Sequence, residues 1–377
     1  MRILQFGFFD SLNIGDRLIA EEIHKQYLEN HEIKALSYLG QPVEELENIC
    51  VLSRKITKKN KIKKKIRILI PYHPNKKIKK QVKQWIYETD CLVFSGGNLL
   101  FDLNKYSKSY LKLKWILELA KQQNKPVIAL SVGIGPFRTM NQEKKTIELL
   151  NKLDYISVRD KKSAAYFKKQ IPIVQDPVFT SEFFTTLAKR LFRQDENRIA
   201  VSIIDYRLAG ASEEQYIIYI NQMSEILLQL SKKYEITIFS TETRDYSAVT
   251  EIYHRLKGTV KKVDVCSKEA LYALYENSSL IIGTRMHSMI FAVAAKIPVI
   301  GIAWQDKVEE MFKILDDQAS CFAIDKLEQQ KFDLYKKVKQ KMTQIENERY
   351  LLEETKKEFE NNVSEEKKRV NKLLVEK

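Results

Sequence analysis

The residue types with the most chemical potential stand together in Gly283-Thr284-Arg285-Met286-His287-Ser288, directly after the apolar run Leu280-Ile281-Ile282. A strand that turns straight into a helix directs backbone N–H groups and the positive end of the helix dipole at one point, where an anion can bind. Arg285 can fork onto a phosphate or carboxylate, and His287 is the side chain suited to exchange a proton near neutral pH. The plainer reading is a helix cap with two incidental polar residues. Fixed cations beside a titratable group suit anion chemistry.

Other loops carry related chemistry. Asn13-Ile14-Gly15-Asp16 follows the first apolar run, where Gly15 permits a tight turn and Asp16 can cap a helix. Ser95-Gly96-Gly97-Asn98 and Gly133-Ile134-Gly135-Pro136 each follow an apolar run, and their glycines let backbone approach a ligand or let a helix pack closely on a strand. Three such loops in one half describe the wall of a site. In Ser157-Val158-Arg159-Asp160 the arginine needs an anion, which a ligand, Asp160 or Asp176 could supply. Trp304-Gln305-Asp306-Lys307 adds another cation and an aromatic face suited either to a sugar ring or to packing. There is no Gly-x-Gly-x-x-Gly with its acidic partner and no Gly-x-x-x-x-Gly-Lys-Ser/Thr, so nicotinamide and P-loop chemistry lose their usual support.

Periodicity says what positions these loops. Apolar runs over residues 3–8, 91–94, 127–132 and 155–158 read as strands, with helical spacing over 16–29, 110–122, 142–153 and 161–169. A second series follows a polar stretch after Phe183: strands over 199–204, 236–239, 260–263, 280–282 and 299–302, and helices over 213–233, 248–257, 268–277 and 288–295. The expected fold is α/β: two Rossmann-like, doubly wound domains over 1–190 and 196–326. Their facing carboxyl strand edges would form a cleft. A charged helical tail over 327–377 carries Tyr335, Val338, Met342, Ile345 and Leu352 at helical spacing, for packing on its own domain or for a coiled-coil contact in a homo-oligomer.

Composition sets outer limits. The 377 residues are 44% hydrophobic, enough for ordinary cores. Cys50, Cys91, Cys266 and Cys321 are scattered, suggesting neither a zinc cluster nor a disulfide framework. The opening Met1-Arg2-Ile3-Leu4-Gln5-Phe6-Gly7 is too short an apolar run for a signal peptide, and no run suits a membrane span, so a cytoplasmic location is expected. The net charge is +15, and residues 54–83 hold 14 Lys or Arg and no Asp or Glu. There and just beyond, Ile78, Val82, Trp85 and Ile86 recur at helical spacing, as in a basic amphipathic helix resting on anionic lipid at the inner membrane face. A solvated lysine-biased insertion is the plainer alternative. No nucleic-acid module accompanies the charge, so nucleic acid is not an expected partner.

Taken in order, Asn13-x-Gly15-Asp16, Ser95-Gly96-Gly97, Gly133-Ile134-Gly135-Pro136, Ser157-Val158-Arg159-Asp160, Asp176-Pro177-Val178-Phe179, Gly283-x-Arg285-x-His287 and Lys307 resemble the bacterial polysaccharide pyruvyl transferases, which are related in architecture to GT-B glycosyltransferases. The resemblance implies a GT-B-like arrangement. It also implies transfer of the enolpyruvyl unit of phosphoenolpyruvate onto paired sugar hydroxyls, giving a pyruvate ketal and phosphate. By the same resemblance, Arg159, Arg285 and His287 match positions used in donor binding and catalysis.

Phosphoenolpyruvate carries a phosphate and a carboxylate on adjacent atoms, which Arg159, Arg285 and Lys307 could hold. His287 would protonate the methylene, and Asp16 or Asp176 would take the proton of the attacking hydroxyl. Asn13, Gly15, Ser95, Gly96, Gly97, Gly133, Gly135, Thr284 and Trp304 complete the expected substrate contacts. No metal and no cofactor is expected; the acceptor would be a lipid-linked or nucleotide-linked sugar. Two other functions fit the same residues: a GT-B glycosyltransferase whose cations hold a nucleotide diphosphate, and a non-catalytic basic module binding an anionic membrane or polymer.

Overall fold

In the computed structural model, which describes residues 1–37, 42–43, 76–102, 109–188 and 197–375, the apolar runs assemble into two sheets. The first half runs β1 (Arg2–Gly7), α1 (Ile14–Ile23), β2 (Glu32–Ser37), β3 (Pro42–Val43), α2 (Lys76–Glu88), β4 (Cys91–Ser95), β5 (Asn98–Leu100), α3 (Ser109–Gln122), β6 (Val127–Ile134), α4 (Met140–Leu150), β7 (Tyr155–Val158), α5 (Lys161–Ala164) and α6 (Glu182–Ala188). The second runs β8 (Arg198–Ser202), α7 (Glu213–Leu230), β9 (Glu235–Phe239), α8 (Tyr246–Arg255), β10 (Lys261–Lys262), α9 (Lys268–Glu276), β11 (Leu280–Gly283), α10 (Met286–Ala294), β12 (Val299–Ala303), α11 (Asp306–Ile314) and β13 (Cys321–Ala323). Two helices follow, α12 (Leu327–Thr343) and α13 (Ile345–Val375).

The first sheet has the order β3-β2-β1-β4-β6, with β5 and β7 both pairing with β6, and β3 alone antiparallel. The second is parallel throughout, in the order β10-β9-β8-β11-β12-β13. Helices cover both faces of such sheets, so β4, β6, β11 and β12 are buried at every residue, as their predominantly apolar sequences require. Strand order reverses between β1 and β4 and again between β8 and β11. Crevices open beyond the carboxyl ends of strands at such reversals, and the loops singled out in the sequence start there.

Two elements are about half as long as the periodicity suggests. The helix expected over 161–169 stops at Ala164, where Phe167 N–H bonds back to Ala164 O in a tighter turn and the Phe167 ring turns into the core. The strand expected over 260–263 pairs only at Lys261 and Lys262. The basic segment lies outside the described residues from 54 to 75, but its remainder is the start of α2. Val82 and Ile86 of α2 are 1% exposed and sit in the core of the first half. Val82 and Ile86 therefore pack on protein and are not presented to lipid.

The tail is intramolecular. α12 packs on α7 and β13, and α13 then crosses back over the first half. Lys356 donates to Ala294 O at the end of α10 (2.9 Å) and to Thr185 Oγ1; Phe359 packs on Phe179 with ring centroids 5.0 Å apart. Further along, Asn362 bonds Gln175, and buried Glu366 accepts from the hydroxyls of Tyr27 (2.6 Å) and Tyr155 (3.3 Å). No helix among the described residues is long and apolar enough to cross a membrane.

Candidate functional site

α10 is apolar around nearly its whole circumference and buried at every position, because the second sheet covers one side and the first half covers the other. Its first turn is thus held against the first half. The two halves are also joined by main chain: Asn13 and Glu242 form an antiparallel bridge, with Ile14 N–H bonded to Thr241 O (3.1 Å) and Thr243 N–H to Leu12 O (3.2 Å).

His287 meets α1 at Gly15. A methyl group at that position would lie 2.1 Å from the His287 Cγ, so only glycine admits the ring. The imidazole, 6% exposed, places Nε2 3.5 Å from Asp176 Oδ2. Asp176 uses its other oxygen to cap the turn Pro177–Thr180, accepting from Val178 N–H (3.2 Å). His287 Nε2 and Asp176 Oδ2 are both buried without a fully formed hydrogen bond among the described residues. Arg159 approaches the same Asp176 oxygen (4.0 Å) and Asp160 (3.4 Å), and donates to Asn98 Oδ1 (2.8 Å). Its guanidinium occupies the space a side chain at Gly133 would fill. The carboxylates read from the sequence as alternative partners of Arg159 are therefore both present, at long distances that leave the cation incompletely neutralised.

Arg285 lies at the start of α10 in a two-pronged ion pair with the fully buried Asp245, both contacts 2.7 Å. Its guanidinium and the Lys307 ammonium both lie near the Trp304 ring, 5.6 and 5.5 Å from the centroid. The indole N–H donates to Thr284 O (2.9 Å), so the ring is a platform for two cations. Lys307 has no anionic partner in contact among the described residues. Burial, and then the like charge of Arg159, push its pKa down to about 8, with Asp16 acting in the opposite direction. Asp16 accepts from Ser11 Oγ (2.9 Å) in the first turn of α1. Arg159, Asp176, Phe179, Met286, Ile290 and Lys307 share the lining of one narrow hollow between the halves.

The structure thus gathers Gly15, Gly133, Arg159, Asp176, Arg285, His287, Trp304 and Lys307, with Asp16 and the cap residue Asn13 at the edge. Others of the expected contacts have internal reasons. The N–H groups of Thr284 and Arg285 both bond Ser202 Oγ (3.2 Å each), and the Thr284 hydroxyl donates to Ser202 O (2.8 Å). Those amides are not open to an anion, and Thr284 is fully buried. Ser95 is 3% exposed and bonded to Gln5 (2.6 Å). Gly96, Gly97 and Gly135 make room for Ile19, Phe8 and Tyr166, side chains of their own half. Missing from the sequence reading are Asp245, Glu242 and Arg244, where Arg244 pairs with Glu242 at 2.5 Å. The signal was available, since these residues directly follow β9 at the same carboxyl edge. Among the described residues no three His, Cys, Asp or Glu side chains cluster so as to hold a metal ion.

Comparison with known proteins adds three findings. A family model described as polysaccharide pyruvyl transferase matches residues 13–306. No curated protein matches the sequence. Among solved structures, Anabaena HepE in complex with UDP aligns over 100% of both chains at 9% identity with a TM-score of 0.57. The UDP-GlcNAc 2-epimerase of Methanocaldococcus jannaschii aligns over 90% of this chain and 92% of its own at 13% identity and a TM-score of 0.54. The Neisseria meningitidis UDP-GlcNAc 2-epimerase bound to UDP-GlcNAc aligns over 97% and 100% at 10% identity and a TM-score of 0.52. These likenesses identify the arrangement of the two Rossmann-like halves as GT-B-like.

Proposed function

Because the chain belongs to the polysaccharide pyruvyl transferase family, and is accordingly a transferase, we propose that it moves the enolpyruvyl unit of phosphoenolpyruvate onto paired hydroxyls of a sugar in a cell-surface polysaccharide precursor. The observation that carries this reading is the meeting of Arg159 and His287, from the two halves, at the incompletely bonded oxygen of Asp176, with Lys307 lining the same hollow. A small donor with two anionic groups suits a crevice whose cations are in place before it arrives.

In the proposed reaction Arg159 and Lys307 hold the donor's phosphate and carboxylate, and Arg285 directs its remaining N–H groups to the same charge. His287 gives a proton to the methylene carbon, turning it into a methyl group and leaving an oxocarbenium centre at C2. One sugar hydroxyl adds to C2 and yields its proton to a carboxylate. The C2–O bond to phosphate then breaks, the second hydroxyl closes the ketal, and its proton leaves with inorganic phosphate. The two candidate bases differ in place: Asp176 faces His287 and is suited to orient it, whereas Asp16 stands free of that contact and is the better acceptor for the hydroxyl proton.

Supplying phosphoenolpyruvate with a panel of lipid-linked and nucleotide-linked sugars should release phosphate and add one pyruvyl unit to the true acceptor by mass spectrometry. Phosphate release that ignores the acceptor, or a product without the added unit, rejects the reading. A second reading, a glycosyltransferase with a nucleotide-sugar donor, is favoured by the UDP-bound structures that share the fold. Thermal stabilisation by UDP and not by phosphoenolpyruvate would select it. We further infer a peripheral position at the inner membrane face. With Val82 and Ile86 of α2 buried, the contact would be electrostatic and carried by the exposed Lys79, Lys80 and Lys83.

A further inference from the structure

We propose that Asp245 is a positioning residue for this reaction: it fixes the Arg285 guanidinium so that one edge alone is left to meet the donor. The inference rests on the pyruvyl-transfer reading and adds to it a residue outside the family-like motifs. Asp245 is fully buried, and each of its oxygens takes two donors. Oδ1 accepts from Arg285 Nη2 (2.7 Å) and from Asp205 N–H (2.9 Å); Oδ2 accepts from Arg285 Nε (2.7 Å) and from Ser240 Oγ (2.8 Å). One carboxylate therefore ties together the loops that follow β8, β9 and β11. Asp205 is itself gripped by Arg207 (2.9 Å) and Ser247 (2.9 Å), so the anchor does not move with a single side chain.

This arrangement consumes Nε and Nη2 of Arg285 and leaves Nη1 without a partner among the described residues. Trp304, near the guanidinium, restrains it further. The pair is electrically neutral. Arg285 then contributes direction to the donor anion, while the net positive charge that attracts it comes chiefly from Lys307 and the weakly paired Arg159. Loss of the Asp245 charge would free Arg285 to move and add an uncompensated cation, so orientation suffers while attraction does not.

The test is a double-mutant cycle in the full-length enzyme. Asp245→Asn keeps size and part of the hydrogen bonding. It should lower kcat by roughly ten- to a hundredfold, with the KM for phosphoenolpyruvate unchanged or reduced. Arg285→Gln alone strands a buried carboxylate and can misfold, so the comparison partner is the Asp245→Asn/Arg285→Gln double variant. It should turn over no more slowly than Arg285→Gln, or, where that single variant does not fold, show a loss no larger than a few-fold beyond Asp245→Asn. Full kcat in Asp245→Asn, or a loss confined to KM, overturns the proposal. A second readout needs no turnover: the Arg285 Nε–H resonance in nitrogen-labelled protein should be sharp at neutral pH and vanish in Asp245→Asn. A sharp resonance in both overturns the positioning role, whereas a wild-type protein that shows the resonance but never consumes phosphoenolpyruvate discards the reaction and leaves the ion-pair geometry intact.

Discussion

At the scale of single residues, the site shows how cations can be both held and left available. Arg285 spends two nitrogens on Asp245, and among the described residues Arg159 has carboxylates only at 3.4 and 4.0 Å and Lys307 has none in contact. Lys307 is the most sensitive of the three, since its pKa lies at about 8 instead of the usual 10.5. Raising the pH through that value removes its charge, so donor binding should weaken on the alkaline side. The KM for phosphoenolpyruvate should climb above about pH 8, and Lys307→Arg should stay flat because a guanidinium keeps its proton there. Identical alkaline limbs in the two enzymes would exclude Lys307 from the donor site. Arg159, Arg285, His287 and Lys307 were legible in the sequence because each stands just beyond an apolar run, where a parallel sheet delivers its loops. Asp245 was not, although it obeys the same rule. A carboxylate just ahead of a helical stretch reads as an ordinary cap until its burial and its partner are known.

Among the elements, apolar runs revealed the central strands, since a strand covered on both faces has little choice of sequence. Strand β2, the edge strands β3 and β13 and the short β5 escaped notice because they carry polar residues or span only two or three positions. Amphipathic spacing located α2 correctly but could not say what its apolar side would touch. The same ambiguity applied to the tail, where α13 carries a buried lysine with no carboxylate in contact among the described residues. Burial pushes Lys356 down to about 8. A folded-state pKa below the unfolded one means that the unfolded chain binds more protons between about pH 8 and 10.5, so stability contributed by this group rises with pH in that window and is unfavourable below it. Denaturant unfolding at about pH 7.5 and about pH 9.5 should therefore show wild type gaining on Lys356→Met by on the order of 2 kcal/mol. A constant difference between the two proteins would show that the ammonium is not desolvated as the helix packing implies.

Over the whole molecule, the halves are fastened at several separate places. Glu21 of α1 pairs with Lys268 of α9 (2.5 Å), and Lys162 of α5 with Asp306 of α11; α13 lies across both halves. Surface pairs such as Lys162 with Asp306 contribute little individually and weaken with salt. The join between Asn13 and Glu242 differs in kind, being built from peptide groups. It can still be cut selectively. Thr243 begins a short helical turn and Glu242 before it has φ −125° and ψ 120°, a conformation compatible with a following proline, so Thr243→Pro should delete the bond to Leu12 O with little other disturbance. That variant should keep its fold, measured as Tm, and bind donor more weakly.

The main-chain seam also bears on how the catalyst is timed. In the proposed reaction, donor and phosphate would both cross the parting that this seam spans. Turnover would then be paced by separation of the lobes and not by bond making. In a thickened solvent the native enzyme should slow in proportion to viscosity, whereas the proline variant should feel the thickening much less.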